Sequence, residues 1–173
     1  MGNEKKKTVL VVDDEADVRS FLMAALIEAD FEVVTAEDGD DALQKVKESI
    51  PDLISLDLVM PKKSGARFYR ELNKNKDWAS IPVIIVTGHA RDNLGKADLK
   101  ELTMSGPGLY LEKPVKPHNY IAAIKRILGM DTTAEETVTA NKIELQNKLK
   151  DMIDDADPDT LAKLKKMLGQ ADD

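Results

Sequence analysis

Five short apolar, β-branched runs, separated for the most part by stretches of helical periodicity, constrain this chain more than any other feature of its sequence. The runs are Thr8 to Val12, Glu32 to Thr35, Asp52 to Leu56, Pro82 to Thr87 and Leu109 to Glu112. Several are apolar at consecutive rather than alternate positions, which suits strands covered on both faces. Val18, Phe21, Leu22, Ala25 and Leu26 recur at helical spacing after the first run, and Ala42, Leu43, Val46 and Ile50 do so after Gly39. A weaker helical pattern runs from about Ser64 to Asn73, and a clear one holds Tyr120, Ile121, Ile124, Ile127 and Leu128 before a capping Gly129. Alternation of this kind over residues 8–129 predicts an α/β fold, a five-stranded parallel sheet with helices on both faces. Such a sheet binds its ligand at the carboxyl ends of the strands, beside the point where strand order switches.

The polar residues collect at those ends. The first strand runs into Asp13-Asp14, the third into Asp57, the fourth ends at Thr87, and the fifth is followed by Lys113-Pro114. Three carboxylates in one cleft repel one another unless a cation neutralises them. A hard divalent ion with oxygen ligands, such as magnesium, is the simplest remedy, and magnesium commonly joins one or two carboxylates to a phosphate. Lys113 can balance a carboxylate and then a phosphoryl oxygen, and Thr87 can donate a hydrogen bond to that oxygen. Taken singly, each residue has an ordinary alternative. Asp13 or Asp14 suits a helix cap before Glu15, Thr87 a plain strand position, and Lys113 a surface lysine. Asp57 is harder to explain away, because a carboxylate following Leu53-Ile54-Ser55-Leu56 needs a partner near a core.

Composition narrows the remaining classes. With no cysteine among 173 residues, a thiol nucleophile, a disulfide framework and cysteine-based zinc are excluded. The net charge of -7, without a basic stripe, argues against nucleic acid as a partner. No apolar run approaches the roughly 20 residues of a membrane span, and the basic tail of residues 1–7 lacks the apolar stretch of a secretory signal. A cytoplasmic protein with no membrane association is the expectation.

The segment from about Thr8 to Met130 resembles the receiver domain of bacterial two-component response regulators. The resemblance is carried by Val11-Val12-Asp13-Asp14-Glu15, Leu56-Asp57-Leu58-Val59-Met60-Pro61 followed by Gly65, Val86-Thr87-Gly88, and Tyr110-Leu111-Glu112-Lys113-Pro114. It implies a flavodoxin-like, doubly wound sheet over residues 8–130. It also implies that Asp57 is the phosphoacceptor and that Asp14, Asp57 and the Val59 carbonyl bind magnesium directly, with Asp13 acting mainly through water. Thr87 and Tyr110 match the switch hydroxyl and switch aromatic, and Lys113 the lysine of the family. Implied partners are a histidine kinase or histidine phosphotransfer protein upstream and a protein target downstream. Such a domain catalyses only its own phosphorylation and slow dephosphorylation, without being an enzyme in the metabolic sense. The implied switch draws the Thr87 hydroxyl inward and lets Tyr110 turn from solvent toward the core, with output at the helix before the fifth strand, that strand and the helix after it. Val59 and His89 occupy positions that tune phosphoryl lifetime in the family, although His89 also suits an exposed loop. Gly88 replaces the usual alanine, Ser64 replaces a common acidic residue, and the stretch from Gly88 to Gly108 is somewhat long. A haloacid-dehalogenase-type phosphatase is disfavoured, since it needs an aspartate where Val59 stands.

Residues 131–173 form a polar, threonine-rich stretch that suits a linker or a helix start, followed by an acidic helical hairpin. They hold 11 acidic and 6 basic residues, a net charge of -5, which is unsuited to reading DNA. Leu145, Leu149, Met152 and Ile153 fall on one helical face that must bury against something. A second helix is marked by Asp157, Pro158, Leu161, Leu164, Leu168 and Gly169. The expected ways to bury these stripes are folding back on the receiver, homodimerisation, or docking to a partner helix.

Overall fold

The computed structural model describes residues 4–60, 64–88 and 109–169, apart from the side chains of 164 and 167–169. Five parallel strands, β1 (Thr8–Val12), β2 (Glu32–Ala36), β3 (Leu53–Leu56), β4 (Val83–Thr87) and β5 (Tyr110–Glu112), lie in the order β2-β1-β3-β4-β5. The crossover helices are α1 (Ala16–Glu28), α2 (Gly39–Glu48) and α3 (Gly65–Lys74). Three more follow β5: α4 (Pro117–Leu128), α5 (Ala134–Asp155) and α6 (Pro158–Gly169). The third, fourth and fifth strands each begin one residue later than expected, the second ends one residue later, and Asp57 sits just beyond β3. This is the flavodoxin-like, doubly wound fold.

The consecutive apolar residues explain the layering. β3 and β4 are buried at every position, and β1 at all but Thr8, because helices cover both faces. Leu10, Val12, Ile54, Leu56 and Ile85 face α2 and α3, where Ala42, Val46, Phe68 and Leu72 close one core. Val9, Val11, Leu53, Ile84 and Val86 face the other way, toward Leu22 and Leu26 of α1 and Tyr120, Ile121 and Ile124 of α4. Each such fully buried aliphatic side chain contributes about 1.5–3 kcal/mol of transfer free energy. Not every periodic residue is used: Phe21 on α1 and Ile50 beyond the end of α2 are exposed, outside the stripes that meet the sheet.

Local chemistry sets the helix ends. Asp38 accepts the Asp41 N–H at 2.9 Å to start α2, and Ser64 accepts the Arg67 N–H at 3.2 Å to start α3. The α3 pattern, weak in sequence, is therefore a well-capped helix whose Phe68 and Leu72 are fully in the core. Pro117 opens α4, and Gly129 closes it in the left-handed conformation at φ 63°. Thr133 and Glu136 form a reciprocal capping box, so the threonine-rich stretch is the start of α5 rather than only a linker.

Of the ways expected for residues 131–173 to bury their apolar stripes, the stripe of α5 does not take the fold back onto the receiver. The face built from Leu145, Leu149, Met152 and Ile153 does not turn to the receiver: all four are exposed, together with Val138. The opposite face, with Ala140, Ile143 and Asn147, is buried, and α5 lies along α4. Ile143 joins the core cluster of Leu109, Leu111, Tyr120 and Ile124, and around it Asn147 and the charged side chains of α5 meet backbone and charged groups. No helix among the described residues is long and apolar enough to cross a membrane.

Candidate functional site

The site lies at the carboxyl ends of β1 and β3, adjacent strands from which the chain order runs outward in opposite directions. Asp13 follows β1 and is 2% exposed; Asp57 follows β3 and is 3% exposed. The Asp57 N–H donates to the Val12 carbonyl at 3.0 Å and the Asp13 N–H to the Ala36 carbonyl at 3.2 Å, so the sheet hydrogen-bond ladder itself holds both residues. The Asp13 carboxylate also accepts the Glu15 N–H at 2.9 Å in a turn before α1, whose N-cap is Glu15 and which has no side-chain cap. Arg19 donates to the Asp13 carbonyl at 2.7 Å. The Val59 N–H lies 3.3 Å from Asp57 Oδ1, tying the loop after β3 to the carboxylate.

Lys113 closes the site from β5. Its Nζ is 2.7 Å from Asp13 Oδ2, 3.2 Å from Asp57 Oδ2 and 3.1 Å from Glu15 Oε1, and its side chain is only 15% exposed. It is not a surface lysine. Burial raises the proton affinity of the Asp13 carboxyl above the ordinary carboxylate range, with the Lys113 ammonium opposing the rise. Burial alone would lower the Lys113 value, but Asp13, Asp57 and Glu15 together outweigh it and hold the ammonium well above an ordinary lysine.

Carboxylate oxygens of Asp13, Asp14, Glu15 and Asp57 all lie within 4.8 Å of one another. Asp14 and Glu15 are exposed at the mouth, and the two buried acids form its floor. An oxygen-only, acid-rich donor set open to solvent on one side fits a hard divalent cation that keeps part of its water. Glu15 was given no role from sequence. Its position as the third acid of a row is the only signal that pointed to it.

The remaining expected site residues fall around this core. Thr87, at the end of β4, is fully buried, and its carbonyl accepts the Lys113 N–H at 3.2 Å. Tyr110 is already in the core in this structure, 3% exposed, in contrast to the expected resting position in solvent. His89, Pro61 and the expected helix between β4 and β5 lie outside the described residues. Gly65 has a role that the sequence did not reveal. A Cβ there would stand 1.8 Å from the Asp57 carbonyl oxygen, so only glycine lets α3 start against the Asp57 backbone. Gly88 differs: among the described residues a Cβ there meets nothing closer than the Lys113 Cβ at 4.0 Å.

Residues 9–125 match the family model of the response regulator receiver domain. The chain belongs to that family. The phosphate regulon transcriptional regulatory protein PhoB of Escherichia coli is 33% identical to this receiver over 122 residues, 70% of this chain and 52% of PhoB. A probable transcriptional regulator, ycf27 of Guillardia theta, is 35% identical over 127 residues, 72% of this chain and 46% of that protein. The chain thus spans about half the length of these curated relatives. Among solved structures, a response regulator of Chloroflexus aurantiacus superposes with TM-score 0.65 at 29% identity, covering 72% of this chain and 99% of that one. The chemotaxis protein CheY4 of Vibrio cholerae does so with TM-score 0.63 at 28% identity, covering 71% and 99%. The receiver is accordingly a two-component signalling domain.

Proposed function

We propose that this receiver is a phosphorylation switch in which Asp57 accepts a phosphoryl group in a magnesium-dependent reaction. The observation that supports this most is the Lys113 ammonium bridging two buried carboxylates inside a four-acid cluster. Asp13, Asp14 and Asp57 would hold Mg2+ together with the Val59 carbonyl, and Glu15 lies close enough to join through water. When bound, the ion supplies neutralisation of charge on the transferring group. An Asp57 carboxylate oxygen attacks phosphorus in line, the phosphorus–nitrogen bond to a partner's phosphohistidine breaks, and the imidazole leaves with a proton taken up from solvent. Lys113 then moves from carboxylate to phosphoryl oxygen, and the Thr87 hydroxyl donates to another. Water later cleaves the acyl phosphate, returning the Asp57 carboxylate and inorganic phosphate. The upstream partner is a histidine kinase or phosphotransfer protein.

Residues 8–130 are the switching unit, with 1–7 a basic tail and 131–173 an acidic helical appendage. The appendage, carrying a net charge of -5, supports an output by protein binding, homodimerisation included, rather than by contact with nucleic acid in a cytoplasmic setting. Thr87 and Tyr110 are the switch pair, and Val59 and His89 tune the phosphoryl lifetime, so His89→Ala changes the dephosphorylation rate while leaving phosphorylation possible.

The test is incubation of the full chain with magnesium and a small acyl phosphate, followed by intact mass. One added phosphoryl group, absent from Asp57→Asn and from a magnesium-free sample, is the expected result. No mass gain in the native chain overturns the reading.

A further inference from the structure

We propose that α5 is a reversible cover over the β5 edge, and that its docked population is set by the state of the Asp57–Lys113 pair, transmitted through the three residues of β5. This rests on the reading of Asp57 as phosphoacceptor, since the signal it names is the phosphoryl group.

The edge is the starting point. β5 pairs on one side with β4, through the Ile85 N–H to the Leu109 carbonyl at 3.4 Å and the Lys113 N–H to the Thr87 carbonyl at 3.2 Å. Alternation of backbone direction then points the Tyr110 N–H away from β4, off the end of the sheet, where an unsatisfied donor is a liability. Asn147 of α5 removes it. Its Oδ1 accepts the Tyr110 N–H at 3.1 Å, and both residues are buried. A helix side chain thus takes the place of a sixth strand.

Among the described residues, ion pairs flank that bond. Lys150 Nζ is 3.3 Å from Glu112 Oε2 and 6.0 Å from the centre of the Tyr110 ring. Lys125 of α4 pairs with Glu136 at 2.6 Å, and Arg126 with Glu144 at 3.6 Å. The buried apolar side chains of α5 are Ala140 and Ile143, and Ile143 joins the core cluster of Leu109, Leu111, Tyr120 and Ile124. Its large hydrophobics lie on the other side, with Val138 67% and Met152 62% exposed. Partly exposed ion pairs hold weakly, so a helix attached this way leaves its seat more easily than one attached by its apolar stripe.

The same strand reaches the acidic site. Tyr110 and Glu112 hold α5, and Lys113, the next residue, holds Asp13 and Asp57. New negative charge on Asp57 draws the Lys113 ammonium inward. That pulls the end of β5 toward the site and away from Asn147 and Lys150, releasing α5 and uncovering the strand edge and the adjoining face of α4. By linkage, whatever loosens α5 must favour the same state of the site.

Amide hydrogen exchange of the full chain reads this directly, because the Tyr110 amide is protected by α5. Asn147→Ala is expected to speed exchange at Tyr110 while the amides of β1 stay unchanged; no effect at Tyr110 overturns the cover. The native chain is then treated with magnesium and acetyl phosphate, with intact mass followed in parallel. A phosphoryl mass gain with exchange at Tyr110 and along α5 faster by about fivefold or more, the lower end of ordinary coupling, is the expected result. A mass gain with unchanged or slower exchange overturns the coupling and leaves Asp57 as phosphoacceptor. If no mass is gained, the phosphoacceptor reading fails and Asp57→Asn decides the coupling. Weakening the inward pull on Lys113 should then slow exchange at Tyr110, and unchanged or faster exchange overturns the proposal.

Discussion

Lys113→Met removes the ammonium while keeping much of the side-chain volume, and the structure sets what that costs. Asp13 and Asp57 are 2% and 3% exposed, and both lose their counter-ion at once, while Glu15 is largely solvated and loses little. Breaking a buried ion pair costs about 3–5 kcal/mol, and the partial exposure of Lys113 places this case near the lower figure. For a chain of this size, about 3 kcal/mol corresponds to a loss of roughly 6–12 °C in Tm. The loss should depend on pH with a definite sign. The Asp13 carboxyl is already raised by burial, and in the variant the ammonium that opposes the rise is gone. A carboxyl whose folded value lies above its unfolded value stabilises the fold when protonated and loses that contribution as pH rises through the folded value. The deficit relative to the native chain is therefore largest near pH 7 and shrinks toward about pH 5. Magnesium should restore part of it at neutral pH by replacing the missing positive charge. Thermal unfolding of both chains at the two pH values, with and without magnesium, checks all three statements. A deficit that is equal at both pH values, or below about 1 kcal/mol at neutral pH, refutes the buried-pair argument.

Gly65→Ala forces the Asp57 carbonyl and α3 apart and should cost more than about 2 kcal/mol in urea unfolding. Gly88→Ala, whose Cβ would meet nothing among the described residues closer than the Lys113 Cβ at 4.0 Å, should stay within about 0.5 kcal/mol. Thr133→Ala dismantles the capping box of α5 and should cost about 1 kcal/mol locally, seen as faster amide exchange in the first turn of α5 with β1 unaffected. Leu149→Ser, on the exposed face, should leave the unfolding midpoint within about 0.5 kcal/mol of native, whereas Leu72→Ala in the core should cost about 2–5 kcal/mol.

The strands and the site were legible in the sequence for one reason: both depend on residues whose alternatives are expensive. A run such as Leu53-Ile54-Ser55-Leu56 has few places to go except a strand covered on both faces, and the acids that end such runs must share one edge of the sheet. What escaped notice was set by backbone approach and by neighbours far away in sequence. The need for glycine at position 65 comes from contact with the carbonyl of Asp57, which no local pattern encodes. The inward position of Tyr110 is likewise a matter of packing, since either placement is open to a tyrosine on an edge strand. Phe21 and Ile50 belong to helical repeats, yet the sheet is too narrow to cover everything those repeats offer.

The appendage shows where the rule of apolar faces turning inward stops applying. The apolar surface the receiver offers there takes only Ala140 and Ile143, and around it stand the Tyr110 N–H, the Glu112 carboxylate and the cationic ends of Lys125 and Arg126. A helix seated there gains most by supplying an amide oxygen, a lysine and two glutamates, which Asn147, Lys150, Glu136 and Glu144 do. The cost is that Leu145, Leu149 and Met152 stay in water. Rotating α5 by half a turn would bury those side chains against charge and strand the Tyr110 donor, exchanging a modest hydrophobic loss for an unsatisfied buried hydrogen-bond donor. α5 enters the sheet's own core through Ile143, and its polar ties run to Tyr110 and Glu112, the residues just before Lys113. Among the described elements outside the sheet, α5 is the one tied to the residues next to Lys113, and so the one that the proposed change at the acidic site would move.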